Sequence, residues 1–555
     1  MTLSVSNTPE LRRIVALPRR RLADAGAAVR FWTAALRTPH GQQTLTPLQA
    51  QALEDAWTTG RGLYISAPVG AGKTLLAWLL LTLFEAERGV IVAPSGMLKE
   101  MHALHQSYRD HWLAPPRPPR LLGFEELDRA AESPLLELQP DVLAIDEAHR
   151  TRRRTRIATK VIDRYRRVAG AELRFMATMT GTPGRQSIFD ISHHLVWCLG
   201  DGAPVPRSYP EQRQWAGALD LKGRDHCGVG VLRTLGGEGP TLKARARDWF
   251  RQRLADTPGV ILDAQDSCAK ALRIIQITPP ADAKIEADFK RFRTEFETPG
   301  GQIVSDPLCG FRLETELSLG YHGVWDPPPP VEWLRARKRF ADFTRKKIAD
   351  SQHSRKPLDS EMRVAKAYPE AAPVLEWQAI RDTYKIEPKA VWRSPSVVQF
   401  VAQWLKANGP ALAYVWSVPL CQALQKVSGL AWYGRKGIDA MTGRYIGDAP
   451  GAASAIVSGS ANIEGRNLQA WNRAIYVAPP QAANWLEQAL GRLHRQGQTS
   501  DVEVYMLVAS AGGAAGFETA LTEADFGREI FGSDQKIRRA EILRSKLPPN
   551  TYRYC

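Results

Sequence analysis

The sequence predicts an α/β protein with two parallel-sheet lobes and a largely helical insertion between them. Short apolar segments alternate with helical segments in two separate regions, a pattern typical of βαβ units. The strand candidates of the first lobe lie near residues 63, 90, 142 and 175. Those of the second lobe are 411–416, 455–458, 474–478 and 502–507.

These patterns divide the chain into five parts. Residues 1–40 are a basic amino-terminal extension, 41–200 the first lobe, 201–394 the mostly helical insertion, 395–530 the second lobe and 531–555 a basic tail. The helix candidates of the insertion are Asp282–Phe296, Val331–Ser351 and Val374–Tyr384. Its tryptophans, Trp325, Trp333 and Trp377, lie among basic residues. Two interpretations stay open for them, stacking on nucleic-acid bases and anchoring helices to a core.

A glycine-rich loop follows the first strand candidate and reads Ala67-Pro-Val-Gly-Ala-Gly-Lys-Thr74. Gly70 and Gly72 allow a close approach of backbone N–H groups to phosphate oxygens at a helix start, where the helix dipole favours anions. Lys73 is expected to reach the β- and γ-phosphates, and the Thr74 hydroxyl to ligate Mg²⁺. This loop predicts a binding site for a nucleoside triphosphate.

Two adjacent carboxylates end the apolar strand candidate Asp141-Val-Leu-Ala-Ile-Asp146-Glu147, within the sequence DEAH. We expect Asp146 to hold Mg²⁺ through water and Glu147 to polarise the attacking water. The alternative is an exposed acidic turn, since charged pairs are common on protein surfaces. The glycine-rich loop upstream favours the catalytic interpretation.

A third segment, QALGRLHRQGQ at 488–498, follows a strand candidate of the second lobe. If it is helical, Gln488, Arg492 and Arg495 share a face at spacings of four and three residues. Guanidinium groups suit the negative charge of a transferring phosphoryl group. Arg495 is therefore the predicted arginine finger and Arg492 its partner, and the alternative is a basic helix face in solvent.

With these three segments the chain resembles the superfamily-two helicase-like ATPases, and within them the SWI/SNF-type DNA translocases. The resemblance implies a P-loop NTPase with two RecA-like lobes that bind ATP and Mg²⁺ between them. Leu45-Thr-Pro-Leu-Gln49 resembles the adenine-reading Q motif and assigns Gln49 to the nucleotide. The forms TGTP at 180–183 and GRxHRxGQ favour the SWI/SNF-type branch over DEAD-box RNA helicases.

The resemblance also implies contacts with nucleic acid. Residues 91–95 are similar to motif Ia, TGTP to motif III, and residues 458–469 to motif V. The core of the last motif is Glu464, Gly465, Asn467 and Leu468. The residues assigned to nucleic-acid contact are Pro94, Ser95, Thr182 and Asn467. The sequence EGRNLQ at 464–469 and the sequence of residues 317–327 further resemble those of helicase-like proteins of phages and prophages.

Charge and cysteine content agree with this interpretation. A formal net charge of +16 over 555 residues favours a polyanionic partner, although phosphate contacts do not distinguish DNA from RNA. The 6 cysteines form no CxxC pair, which is typical of a reducing compartment without structural metal. No apolar targeting or membrane segment stands out. We therefore expect a cytoplasmic protein, monomeric rather than oligomeric, in a bacterial or phage-infected cell.

The sequence thus predicts a nucleic-acid-stimulated ATPase. We expect it to act as a translocase on double-stranded DNA that moves without separating the strands. Two alternatives remain open. One is a true strand-separating helicase on DNA or RNA. The other is a binding factor with a motor fold that recruits replication or transcription partners, for which the 201–394 insertion is the candidate protein-binding part.

Overall fold

The computed structural model describes residues 7–20, 24–129, 133–221, 230–236, 243–263, 268–351, 358, 360–385, 388–449, 451, 453–463 and 466–544. These residues form two parallel sheets, of six and seven strands, together with a separate antiparallel pair. The predicted α/β class with two parallel sheets is confirmed. No helix in these ranges is long and apolar enough to cross a bilayer.

The first sheet consists of β1 Gly62–Ser66, β2 Gly89–Ala93, β3 Arg120–Gly123, β4 Val142–Ile145, β5 Phe175–Thr180 and β6 Val260–Leu262. Its spatial order is β3-β2-β4-β5-β1-β6, and every neighbouring pair is parallel. All carboxyl ends therefore lie at one edge of the sheet. The loops that follow β1, β4 and β5 meet there, which is where ligands bind in open parallel sheets.

Helices cover both faces of this sheet and bury its strands. They are α1 Pro9–Ala16, α2 Ala25–Leu36, α3 Pro47–Thr59, α4 Lys73–Leu83, α5 Leu98–Tyr108, α6 Phe124–Arg129, α7 Pro134–Leu138, α8 Ile157–Ala169, α9 Phe189–Leu199, α10 Tyr209–Leu219 and α11 Lys243–Ala255. Helices α2 to α5 pack on one face. Helices α1, α8, α9 and α11 pack on the other.

The first lobe is larger than the sequence indicated. Strand β6 pairs with β1, Tyr64 opposite Val260, although it lies within the 201–394 stretch expected to be an insertion. Helix α11 also belongs to the core of this lobe. The boundary at residue 200 therefore needs correction, because a three-residue edge strand is too short to show a periodic pattern. The amino-terminal extension likewise joins this core through Leu11 and Ile14 of α1.

The remaining strands are β7 Leu272–Ile277, β8 Tyr321–Trp325, β9 Pro388–Trp392, β10 Leu412–Val415, β11 Trp432–Tyr433, β12 Ala455–Ser458, β13 Arg473–Val477, β14 Val502–Leu507 and β15 Glu541–Leu543. The second sheet has the order β11-β12-β10-β13-β14-β7-β15. Strands β7 and β15 lie outside the expected limits 395–530 and extend one edge of the sheet. The predicted tail thus contributes a strand, which pairs in parallel with β7.

Between β7 and α17 (Ser396–Asn408) lie the antiparallel pair β8–β9 and five α-helices. These are α12 Ala283–Glu295, α13 Pro307–Ser318, α14 Val331–Ser351, α15 Glu361–Ala367 and α16 Ala372–Ile380. The three helices predicted for this region correspond to α12, α14 and α16 and are confirmed, with small shifts of the ends of α12 and α16. Trp333 is completely buried, and its ring contacts those of Trp325 and Trp377. The structure therefore favours anchoring over base stacking for Trp333.

The helices of the second lobe are α17 Ser396–Asn408, α18 Val418–Ser428, α19 Gly459–Asn462, α20 Ala483–Leu493, α21 Ala511–Phe531 and α22 Lys536–Arg539. Helix α21 extends from one lobe to the other. Phe517 and Leu521 belong to the core of the second lobe. Phe526 and Phe531 belong to the core of the first. The two lobes consequently share one continuous helix.

Candidate functional site

The glycine-rich loop joins β1 to α4 at the carboxyl edge of the first sheet. Gly70 and Gly72 have φ angles of 93° and 77°, which side-chain-bearing residues rarely adopt. A Cβ atom at Gly72 would also lie only 2.4 Å from Gln49 Nε2. Helix α4 starts at Lys73 without a side-chain cap. Its first N–H groups are therefore available to an anion.

Lys73 lies inside this loop and is 7% exposed. Its Nζ donates hydrogen bonds to the carbonyl oxygens of Ala67 and Pro68, both at 2.8 Å. Burial lowers the pKa of Lys73, while the carboxylates of Glu147 and Asp146 act in the opposite direction. The ammonium group thus lies at the loop beside two carboxylates, where a phosphate would be neutralised.

Gln49 braces the loop from α3. Its Nε2 donates to Gly72 O at 3.3 Å, and its Oε1 accepts from Thr46 N at 2.9 Å. Both ends of the amide are thus engaged by the protein, as part of the capping box that begins α3. The sequence assigned Gln49 to the nucleotide base. The structure places it against Gly72 of the glycine-rich loop.

Asp146 and Thr74 approach each other across the carboxyl edge. Thr74 Oγ1 donates to Asp146 Oδ2 at 3.3 Å. Burial raises the pKa of Asp146, and the neighbouring Glu147 carboxylate raises it further. A hydroxyl and a carboxylate are hard oxygen ligands, and Mg²⁺ typically takes one or two such groups together with phosphates and water. These two residues therefore fit the Mg²⁺ site that the sequence predicted.

Glu147 has a left-handed backbone, with φ 53°, and a buried side chain. Its Oε2 lies 3.2 Å from His149 Nδ1 and accepts a hydrogen bond from Gln488 Nε2 at 3.4 Å. Burial by itself would raise the pKa of Glu147, but the hydrogen bond and charge of His149 and the charge of Lys73 outweigh it and lower the pKa. Glu147 is thus held as a carboxylate, in one orientation.

A hydrogen-bonded chain leads from Glu147 to the loop after β5. His149 Nδ1 lies 3.4 Å from Thr180 Oγ1, which accepts from Thr182 N at 3.1 Å. Thr182 is 0% exposed, so the expected contact of this side chain with nucleic acid is not possible as the protein stands. Its position on the carboxylate side of the loop explains the burial.

The other candidates for nucleic-acid contact are divided. Pro94 is buried, whereas Ser95 and Asn467 are exposed. Ser95 donates from both its amide and its hydroxyl to Glu125, and Asn467 Oδ1 accepts from Gln469 N. Glu464 and Gly465 lie outside the described residues. Ser95 and Asn467 are therefore the two candidates that can meet a ligand from solvent.

In the second lobe, α20 carries Gln488 and Arg492, both buried. Arg492 donates to Gln488 Oε1 at 2.9 Å and to the carbonyl oxygens of Ile463 and Arg466 at 2.8 and 3.2 Å. Each of the three nitrogens of its guanidinium thus donates a hydrogen bond inside the second lobe. Arg492 fixes the amide orientation of Gln488, whose Nε2 then points to Glu147.

Arg495 differs from the expectation, because α20 ends at Leu493 and His494 has ψ 89°. The predicted common face of three residues is therefore limited to Gln488 and Arg492. The side chain of Gln498 stabilises the turn after α20, because its Nε2 donates to Leu493 O and Trp471 O. The side chain of Arg495 is half-buried. Its guanidinium group has no hydrogen-bond or ion-pair partner within the described part of the chain. Burial and the charge of Arg492 lower its pKa.

The two lobes touch directly at this site. A Cβ atom at Gly491 of α20 would lie 3.2 Å from Val69 Cβ of the glycine-rich loop. Glycine at this position thus allows the helix to lie on the loop. Together with the Gln488–Glu147 hydrogen bond, this contact brings three segments from distant parts of the sequence into one cleft.

Sequence reasoning missed a second contact between the lobes. Tyr445 OH donates to Glu100 Oε1 at 2.8 Å, and Arg466 NH1 approaches the same oxygen at 3.3 Å. Glu100 belongs to α5 of the first lobe, and the other two residues to the second. The spacing of these residues carries no signal, since a single acid and a single tyrosine in different lobes match no motif.

No protein-family model matches this chain, and no curated protein matches it significantly.

Proposed function

We propose that the protein is an ATP-dependent motor on nucleic acid, with two RecA-like lobes of the superfamily-two, SWI/SNF type. The observation that carries the proposal is the hydrogen bond between Gln488 and Glu147 across the cleft. It joins the second carboxylate of the DEAH sequence in one lobe to the arginine-bearing helix of the other. A protein that only bound nucleotide on its first lobe would not need a second lobe at this carboxylate.

The glycine-rich loop is the phosphate cradle of this proposal. When ATP enters, Lys73 exchanges the carbonyl oxygens of Ala67 and Pro68 for phosphate oxygens. Thr74 and Asp146 hold Mg²⁺, which supplies charge neutralisation on the transferring phosphoryl group. Gln49 keeps the loop in shape through Gly72 O. These residues bind the nucleotide without moving the second lobe.

Hydrolysis then depends on Glu147. Its carboxylate is ionised and can accept a proton from the attacking water. His149 and Gln488 fix its orientation from two sides. Since Gln488 belongs to the second lobe, this orientation requires a closed cleft. Turnover is therefore coupled to lobe closure.

Arg495 supplies positive charge in the transition state. A half-buried guanidinium without a protein partner is costly unless an anion joins it, and the charge spread over a transferring phosphoryl group is such an anion. Arg492 acts through Gln488, because each of its guanidinium nitrogens already donates within the second lobe, one of them to Gln488 Oε1. The two arginines thus have different tasks, one toward the nucleotide and one toward the amide of Gln488.

Double-stranded DNA is the proposed track, and stepping along it follows from closure and opening of the two lobes. Ser95 and Asn467 are exposed on different lobes, so a change in lobe spacing alters the distance between two phosphate contacts. The formal charge of +16 supports a polyanionic track. Differential affinity for ATP and its products shifts the population between the two arrangements.

The test is phosphate release with duplex DNA, single-stranded DNA and RNA, each at two salt concentrations with Mg²⁺ present. We expect the largest stimulation from duplex DNA and a smaller one at higher salt, because phosphate contacts release counterions. Lys73→Ala provides the inactive control. Folded wild-type protein that releases no phosphate with any polymer would contradict the proposal.

Two displacement assays separate translocation from strand separation. A translocase that leaves the duplex intact removes a triplex-forming third strand but does not release a strand from a partial duplex. Release of that strand at the rate of ATP turnover would instead identify a strand-separating helicase.

A further inference from the structure

Helix α21 connects the two lobes and has an acidic residue near its middle. The side chain of Glu523 is 0% exposed. On one side along the helix, Phe517 and Leu521 pack in the second lobe. On the other, Phe526 and Phe531 pack in the first. Glu523 therefore lies where the two cores meet.

Four donors surround its carboxylate. Arg185 donates from Nε at 3.2 Å and from NH2 at 2.8 Å, and Gln186 donates from Nε2 at 2.7 Å. The backbone N–H of Ala483 donates at 3.1 Å. A buried carboxylate with this set of partners is fully satisfied.

The donors come from two functional segments. Ala483 is the first residue of α20, whose own N-cap position is Ala482 and supplies no side-chain bond. Glu523 thus replaces the missing cap and fixes the amino-terminal end of the helix. Arg185 and Gln186 lie two and three residues after Pro183, the end of the TGTP segment in the first lobe. One carboxylate consequently binds the loop after β5 and the helix that carries Gln488 and Arg492.

The surrounding packing makes this contact tight. A Cβ atom at Gly184 would lie 2.6 Å from Phe531 Cε2, so the loop before Arg185 lies directly on α21. When the lobes separate, the carboxylate of Glu523 keeps the N–H of Ala483 but loses the three donors of Arg185 and Gln186. A buried charge left without its partner is strongly unfavourable. The closed cleft and the fixed end of α20 are therefore linked through this residue.

We propose that Glu523 is a positioning residue, which makes the placement of Gln488 and Arg492 depend on closure of the lobes. This inference rests on the proposed function for its effect on turnover. The donors around Glu523 belong to Arg185, Gln186 and Ala483, and the carboxylate acts through the amino-terminal end of α20. Arg185 is its partner in the first lobe, and the pair transmits closure to the helix.

The test compares Glu523→Gln, Arg185→Gln and the double variant with the control Glu518→Gln. Glu518 is on the same helix, half-exposed, and pairs with Arg544 at 2.8 Å. Each single variant should lose roughly 10-fold or more in kcat with the KM for ATP changed less than about 2-fold, since the nucleotide is held by the first lobe. The double variant should lose no more than either single one, because both disrupt one interaction. Glu518→Gln should behave as wild type.

A second measurement does not depend on turnover. Amide hydrogen exchange in the first turn of α20 should accelerate in Glu523→Gln and Arg185→Gln and stay unchanged in Glu518→Gln. Single effects on kcat that multiply in the double variant, or unchanged exchange at α20, would overturn the inference. If the wild type turned over no ATP, the proposed function would be wrong, and the exchange at α20 would still decide whether Glu523 positions this helix.

Discussion

Gln488 and Glu147, which are 341 positions apart in the sequence, share a hydrogen bond of 3.4 Å across the cleft. His149 holds the same carboxylate oxygen from the first lobe at 3.2 Å. The orientation of Glu147 therefore depends on one residue of each lobe. Under the proposed function, Glu147 polarises water only when the lobes are closed, which would link hydrolysis to lobe motion.

Glu147→Gln is expected to keep ATP binding and to lower turnover by about 10²- to 10⁴-fold, the usual contribution of a general base. The amide keeps the size of the side chain but cannot accept the proton. The folded state should be less stable than the wild type, because the amide loses the charge interactions with His149 and Lys73 that lower the pKa of Glu147. Phosphate release, equilibrium binding of a fluorescent ATP analogue and thermal unfolding measure the three effects. A variant with normal turnover would overturn the assignment of Glu147.

Lys73→Ala is expected to abolish nucleotide binding while the protein remains folded. The two hydrogen bonds of Lys73 end on carbonyl oxygens of the loop, which can turn to water once the side chain is absent. The ammonium group, by contrast, has no substitute opposite the phosphates. Isothermal titration with ATP and Mg²⁺, together with thermal unfolding, provides the check. An affinity for ATP that stays within about 3-fold of the wild type, a change of less than about 0.7 kcal/mol, would contradict the cradle.

The sequence predicted those parts of the molecule whose signal is local. The glycine-rich loop needs φ angles above zero at Gly70 and Gly72. The strands β1 and β4 are short, mostly apolar runs, and β4 ends directly before Asp146. Each feature is visible within ten residues, so the cradle and the two carboxylates could be predicted. The approach of α20 could be anticipated through the resemblance, but not its contact with Val69.

The features that the sequence did not predict depend on distant partners. Strands β6, β7 and β15 are edge or near-edge strands that exist because of their pairing with a neighbour. The end of α20 before Arg495 depends on the amide of Gln498, which binds Trp471 O in another segment. Thr182 is buried because its backbone turns toward Thr180. Such tertiary contacts override local propensity.

Arg492→Ala and Arg495→Ala should differ in stability although both lower turnover. Arg492 is buried and gives three hydrogen bonds within the second lobe, so its removal should cost about 2 to 4 kcal/mol in the free energy of unfolding. Arg495 has no partner among the described residues, and its removal should change that free energy by less than about 0.5 kcal/mol. Urea unfolding and phosphate release measure the two effects. Arg495→Ala should retain ATP binding; equal losses of stability would contradict the division of tasks.

The lowered pKa of Glu10 predicts how acid destabilises the amino-terminal helix α1. Burial would raise the pKa of Glu10, but hydrogen bonds from Arg207 and Arg13 outweigh it and lower the pKa from 4.5 to about 2. The ionised form therefore stabilises the fold: its contribution is complete above about pH 4.5 and is lost as the pH falls toward 2.

Glu10→Gln should lower the free energy of unfolding at pH 7 by about 2 kcal/mol after solvent screening is discounted. The difference from wild type in urea unfolding should shrink below about pH 4.5 and vanish near pH 2. Glu172→Gln, at a side chain 81% exposed, serves as the control with an unchanged profile, and a deficit of Glu10→Gln that persisted at pH 2 would show that packing rather than charge holds α1 in place.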